Sequence, residues 1–150
     1  MVAFSKNIRP VLSVDGRLSA RGKKVKIIDE EALARIRKQA RCELCHGVVN
    51  STQPHHILSR ARGGRIDLPV NLIGLCQECH DAVHDSETEE ADLWARAAAR
   101  EEHDPEDMRA VVHAVASLPN VPIALEVQEA VADLSGKQRA LFREVTEGRL

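Results

Sequence analysis

The chain has 150 residues, of which 43% are hydrophobic and 2% aromatic, a length that fits one domain or one small domain with an appendage. Its core must rest on aliphatic side chains, and so lean a core gains from a structural metal. No apolar run reaches about 18 residues, and the N-terminus lacks the apolar stretch of a secretory signal. We therefore predict an intracellular, cytoplasmic protein without membrane contact.

The net charge of −2 hides an asymmetry between the two halves of the chain. Residues 1–65 carry 14 Lys and Arg against 5 Asp and Glu, whereas residues 66–150 carry 7 against 18. A basic half suits a phosphate backbone. An acidic half does not, and it is either a solvated surface or a surface that meets a protein partner or a second copy of the chain.

The first 41 residues predict short strands followed by a helix. The segments 11–14 and 17–18 flank an Asp-Gly pair suited to a hairpin turn, and residues 25–28 predict a strand. Residues 29–41 predict a helix, because Asp29 is a good N-cap and acids fill the first turn.

The last 65 residues predict helices throughout. The first helix covers residues 88–102. The second covers residues 104–118, because Asp104 is followed by a proline and two acids. A third is predicted over residues 123–134, and a last one begins at a capping box formed by Ser135 and Gln138 and ends near Glu147.

The four cysteines form two CxxC pairs, Cys42 with Cys45 and Cys76 with Cys79, separated by 30 residues. Two such turns supply four sulfurs in the tetrahedral array that Zn²⁺ prefers, with no position left for water or substrate. A redox CxxC would need only one pair, and two disulfides would need an oxidising compartment. The spacing therefore predicts a structural zinc site.

Histidines gather in the same part of the chain. His80 and His84 lie four residues apart and share a face if they are helical, so they can bind one metal ion. His55 and His56 are adjacent, so on a strand one can bind the metal while the other faces the substrate. Phosphodiester hydrolysis needs a base for water and a metal at the phosphate, and Asn71 can orient the base or its loop.

Residues 42–84 resemble the HNH endonuclease family, the ββα-metal nucleases, through CELC, PHHILSRARGG, VNLIGLCQECH and a final histidine. In that family two strands and a helix surround one metal ion, and CxxC knuckles often hold zinc. The resemblance implies that His56 is the general base, that Asn71 is the middle residue of the motif and that His80 is a ligand of the catalytic metal. It also implies that His55 and His84 are ligands, as in colicin-type nucleases.

Many members of the family carry Asp at the position of His55. Three imidazoles favour Zn²⁺, Ni²⁺, Co²⁺ or Mn²⁺ over Mg²⁺, so this departure leaves the catalytic metal open. Arg60, Arg62 and Arg65 lie in a glycine-rich loop between the paired histidines and Asn71, and we expect them to contact phosphates of the cut strand. No aromatic residue lies among them, so base stacking is not indicated.

These observations predict an α+β protein in three parts. Residues 1–41 would be a basic arm and helix, residues 42–85 a ββα-metal nuclease core with a four-cysteine zinc, and residues 86–150 an acidic helical region. The expected function is DNA cleavage with a histidine base, a structural Zn²⁺ and one divalent catalytic metal, either Zn²⁺, Ni²⁺, Mn²⁺ or Mg²⁺. The alternative is a non-catalytic DNA-binding or scaffolding module on the same frame, acting with a phage or bacterial DNA-processing partner.

Overall fold

The computed structural model describes residues 9–10, 25–118 and 131–147, and for residues 9–10 it describes the backbone alone. The protein has an α+β fold. The strands are β1 (Arg9–Pro10), β2 (Lys26–Ile28), β3 (Gln53–His56), β4 (Arg65–Ile66) and β5 (Leu72–Leu75). The predicted hairpin over residues 11–18 and most of the predicted helix over residues 123–134 lie outside the described residues.

Six α-helices are found in the described part of the chain. They are α1 (Glu30–Arg37), α2 (Arg60–Gly63), α3 (Gln77–His84), α4 (Glu90–Glu101), α5 (Pro105–Ala116) and α6 (Gly136–Thr146), and Pro69–Asn71 form a 3-10 turn. No helix among these residues combines the length and the apolar character needed to cross a membrane.

The described strands form two small sheets. In the first, β2 pairs with β1 in antiparallel and with β4 in parallel orientation. In the second, β3 and β5 form an antiparallel pair in which His55 lies opposite Ile73 and His56 opposite Leu72. All four residues of β5 are buried. The strand β3, which carries the paired histidines, is therefore held against the buried strand β5.

The helix α1 begins as predicted and ends earlier than predicted. The side chain of Asp29 accepts a hydrogen bond from the backbone N–H of Ala32, which caps the helix as expected. The predicted end at residue 41 was wrong, because α1 ends at Arg37. The residues beyond it are used by the first CxxC loop, where Arg41 pairs with Val48 in a β-bridge.

The C-terminal caps predicted from the sequence are confirmed. Asp104 accepts from the backbone N–H groups of Glu106 and Asp107, and Ser135 and Gln138 form a reciprocal capping box. Both caps satisfy backbone donors that a helix start leaves unpaired.

The C-terminal helices share one hydrophobic core with the strands. Ile73 on β5 belongs to the same cluster of buried side chains as Trp94 on α4, Val112 on α5 and Phe142 on α6. These side chains lose almost all contact with water, and burial of this kind is the main stabilising contribution to a fold. The helices after residue 85 are therefore packed onto the cysteine- and histidine-rich segment rather than appended to it.

A polar contact ties α4 to β5. Arg100 on α4 donates to Glu43 at 2.7 Å and to the carbonyl oxygens of Pro69 and Leu72 at 2.6 and 2.8 Å. Glu43 in turn accepts from the backbone N–H of Gly74. A Cβ atom at Gly74 would lie 2.7 Å from the hydroxyl of Thr52. Glycine at this position therefore allows β5 to lie close to Thr52.

Candidate functional site

The four cysteines converge at the junction of two chain segments. Cys42 and Cys45 lie in the loop that follows α1, while Cys76 is the N-cap of α3 and Cys79 lies in its first turn. The four sulfur atoms all lie within 4.8 Å of one another, and those of Cys45 and Cys76 are 3.8 Å apart. Thiolates bound to a tetrahedral zinc at about 2.3 Å would be separated by about 3.8 Å. The cluster thus has dimensions that fit a metal ion with four sulfur ligands.

Backbone N–H groups point at these sulfurs. Leu44 donates to Cys42, Gly47 to Cys45 and Cys79 to Cys76, each at 3.4 Å. Although burial opposes ionisation, such backbone donors lower the pKa of Cys42 to about 7. Burial and the neighbouring thiols raise the pKa of Cys79. A cation bound by the four sulfurs would stabilise the thiolate form of its ligands.

Three histidines converge at a second centre. His55 comes from β3, and His80 and His84 come from successive turns of α3. Their nitrogen atoms lie within 4.8 Å of one another, and the ring centroids are 4.5 to 5.5 Å apart. His84 is exposed and the other two are half-buried, so one side of this histidine triad faces solvent. The sequence predicted this grouping, and the structure brings the three side chains together.

Two of the three histidines, His55 and His80, are held in the neutral form that metals bind. Burial, with added repulsion from His80 and His84, lowers the pKa of His55 to about 4. Burial and His84 also lower the pKa of His80. Neutral imidazoles are good ligands for divalent ions, and three on one side leave the remaining coordination positions to water or substrate.

His56 contacts a buried carboxylate instead of the triad. Its Nε2 lies 2.7 Å from Oδ1 of Asp67, whose side chain is fully buried. The other carboxylate oxygen accepts from Arg65 Nε at 2.9 Å and from the backbone N–H of Asp29 at 3.1 Å. Burial opposes ionisation of Asp67, but the hydrogen bonds from His56 and Arg65 hold its pKa below the usual value. The side chain of His56 is 10% exposed, so its ring is fixed at the edge of solvent.

Asp67 is a site residue that was not predicted from the sequence. This residue lies eleven positions beyond His56 in a segment of mixed polarity, and its sequence context resembles that of an ordinary loop acid. The signal that could have identified it is its position two residues after Arg65, between the aliphatic residues Ile66 and Leu68.

Asn71 fixes the chain that follows His56. The side chain is fully buried, accepts from the backbone N–H of Leu58 at 2.8 Å and donates to the carbonyl of Ile66 at 3.0 Å. The backbone carbonyl of Asn71 also accepts from Ile57 at 2.9 Å. These bonds go to the loop rather than to the imidazole of His56, which is one of the two roles expected for Asn71.

The three loop arginines have different surroundings. Arg62 forms an ion pair with Glu90 at 2.7 Å, and both side chains are well exposed. Arg65 is bound by Asp67 and by Glu30. Arg60 is exposed at the start of α2. Two of the three predicted DNA contacts therefore already have carboxylate partners, and Arg65 supports the carboxylate that holds His56.

The comparison with protein families agrees with this geometry. The model of a family described as HNH endonuclease matches residues 42–86, less than a third of the chain. The matched segment contains both CxxC pairs, the paired histidines, Asn71 and the two histidines of α3. No curated protein and no solved structure matches the chain. Residues 42–86 are thus similar to the HNH endonuclease family over the segment that holds both clusters.

Proposed function

We propose that the protein is a metal-dependent endonuclease that hydrolyses phosphodiester bonds of DNA, with His56 as the general base. The observation that carries this proposal is the Asp67–His56 pair, in which His56 is the chain neighbour of the triad residue His55. A nuclease needs a proton acceptor next to a cation site, and β3 carries both the proton acceptor and one ligand of that site.

The contact with Asp67 determines how His56 would work. The ionised carboxylate can only accept, so Nε2 of His56 carries a proton and the lone pair of the neutral ring is on Nδ1. Nδ1 would take a proton from water as the water oxygen attacks phosphorus. The bond from phosphorus to the 3′ oxygen then breaks, and that oxygen takes up a proton. The products are a 5′-phosphate and a 3′-hydroxyl end.

The histidine triad fits a divalent cation by its donor set, since three imidazoles converge and one side is open. An ion bound there would neutralise charge on the phosphate and stabilise the leaving oxygen. Imidazole ligands favour Zn²⁺, Ni²⁺ or Mn²⁺ over Mg²⁺. We assign Zn²⁺ to the four cysteines, where it would be structural because sulfur fills every position.

The arginines of the glycine-rich loop divide by role in this proposal. Arg60 is exposed and suits direct contact with a phosphate of the cut strand. Arg62 can reach a phosphate by exchanging its exposed carboxylate partner. We assign Arg65 chiefly to Asp67, because its side chain is only 25% exposed and already pairs with two acids.

A cleavage assay tests the proposal. Wild-type protein should nick or cut plasmid DNA with at least one of Mg²⁺, Mn²⁺, Ni²⁺ and Zn²⁺, and not with a chelator. His56→Ala should lower the rate by a factor of about 10² to 10⁴, as expected for loss of a general base, while zinc content stays unchanged and the protein remains folded at the assay temperature. His103→Ala is the matched control, because this histidine lies between α4 and α5, far along the chain from the triad.

Two outcomes would contradict the assignment. Cleavage by His56→Ala at the wild-type rate would show that another group activates water. Tight DNA binding by the wild type without cleavage under any of the four metals would instead support a non-catalytic DNA-binding module.

A further inference from the structure

An open groove of about 560 Å³ lies between the first CxxC loop and α4, away from the histidine triad. We call it the knuckle groove. Its cationic lining residues are Arg41, Arg96 and Arg100. The lining carboxylate, Glu43, is already bound by both hydrogen bonds from Arg100. The unbalanced charge in the knuckle groove therefore comes from Arg41 and Arg96.

These two arginines have donors to spare. Arg41 donates to the carbonyl of His46 at 3.3 Å, and Nη1 of Arg96 donates to Nε2 of the same histidine at 3.2 Å. Within the ranges that the structure describes, no carboxylate forms an ion pair with either arginine. A guanidinium has five N–H donors, so most of those on both side chains are available to a ligand in the groove.

The cysteine loop holds His46 in place between the two arginines. His46 has a left-handed backbone (φ 63°), and its backbone N–H donates to the carbonyl of Cys42 at 2.9 Å. Gly47, the next residue, donates to the sulfur of Cys45. The loop that would bind zinc therefore also positions the acceptors that orient Arg41 and Arg96, so the pair is arranged before a ligand arrives.

Further cations lie close to the groove along the chain. Arg37 and Lys38, at the end of α1, are exposed and precede Arg41 by four and three residues. Exposed cations close in sequence to a preformed guanidinium pair favour a polyanion over a single small anion.

We propose that the knuckle groove is a second phosphate-binding site for duplex DNA, in which Arg41 and Arg96 each contact the backbone. Cys42 lines the groove, and α3 runs from the cysteine cluster to His84 over about 12 Å of helix axis. The groove therefore binds phosphates a few nucleotides from the bond that lies at the triad. Such contacts fix the register of the duplex without reading its sequence. The inference rests on the proposed function only in taking DNA as the ligand.

Measurements of equilibrium DNA binding test this site independently of cleavage. The full-length protein, without added divalent catalytic metal, is titrated against a fluorescein-labelled duplex over about 50 to 200 mM salt. Loss of two phosphate contacts should reduce the slope of log K against log salt by about 1.8, because each contact contributes about 0.9. Wild-type affinity should then fall about 12-fold more than that of R41A/R96A over this salt range.

Two further variants complete the test. R139A/R143A removes the same charge from exposed positions on α6 and should keep the wild-type slope. R41K/R96K keeps the charge and should also keep the slope. Zinc content and melting temperature establish that each variant is folded.

The inference is overturned if R41A/R96A has the slope and affinity of R139A/R143A, or if the wild type does not bind duplex DNA. Wild-type protein that binds with the full slope but cuts nothing would refute the proposed nuclease activity and leave the knuckle groove site intact.

Discussion

Replacement of Asp67 by Asn is the sharpest probe of the site, because it changes charge and hydrogen-bond polarity with almost no change in volume. The carboxylate of Asp67 accepts from His56, from Arg65 and from the backbone N–H of Asp29. An Asn side chain has one accepting atom and one donating atom, so it cannot accept on both sides. If its amide N–H₂ faces His56, it demands a lone pair at Nε2 and moves the ring proton to Nδ1.

The substitution should lower both the stability of the protein and the rate of cleavage. Asp67 is fully buried and Arg65 is 25% exposed, so breaking the pair should cost about 3 kcal/mol, at the lower end for buried pairs. For a chain of 150 residues this corresponds to a melting temperature about 6 to 12 °C lower. Cleavage should fall by about 10⁴, the effect of the wrong imidazole tautomer in a comparable Asp–His pair.

The loss of stability caused by Asp67→Asn should depend on pH. The pKa of Asp67 lies below its usual value of 3.8 in the folded protein, so its ionised form stabilises the fold above that pH. This stabilisation is lost as pH falls through the folded-state pKa. The difference in unfolding free energy between wild type and Asp67→Asn should therefore shrink in acid below about pH 4.

The assay combines thermal melting over a pH series with plasmid cleavage at neutral pH. Glu30→Gln is the matched control, since it removes the exposed carboxylate partner of Arg65 and should change stability by less than about 0.5 kcal/mol. If Asp67→Asn cuts DNA as fast as Glu30→Gln at a temperature where both are folded, Asp67 does not set the tautomer of His56.

Three other perturbations have clear expected outcomes. Cys42→Ser should lower zinc content measured by atomic absorption and should lower the melting temperature, since the other three sulfurs cannot close the site; full zinc with unchanged melting would contradict a structural metal. His84→Ala should weaken binding of one divalent ion in calorimetry while leaving the cysteine-bound metal in place, and an unchanged isotherm would remove His84 from the ligand set. Arg100→Ala should destabilise the protein by about 3 kcal/mol in urea unfolding, because Glu43 and two carbonyls lose their donor, whereas Arg109→Ala at an exposed position of α5 should stay within about 0.5 kcal/mol.

Local signals in the sequence predicted much of the fold. The caps at Asp29, Asp104 and Ser135 are contacts within one helical turn, so residue order alone specifies them. The same holds for His80 and His84, whose spacing places them on one face as soon as the segment is helical.

Contacts between distant segments were harder to predict. The contact between His56 and Asp67 depends on how β4 is set beside β2, which no short pattern specifies. The partners of Arg62 and Arg65 come from α4 and α1, so a loop that is strongly basic in sequence is partly neutralised in space. The end of α1 was also misplaced, because the β-bridge at Arg41 takes over backbone groups that a longer helix would use.

The helix α3 begins at a cysteine of one cluster and carries two histidines of the other. A cation at either cluster restricts the motion of this helix, so the ordering cost of the second cation is smaller. Thermodynamic reciprocity then requires that each metal tighten the binding of the other by the same factor. Loss of the cation from one cluster should therefore weaken cation binding at the other, so that the two clusters tend to fill and empty together.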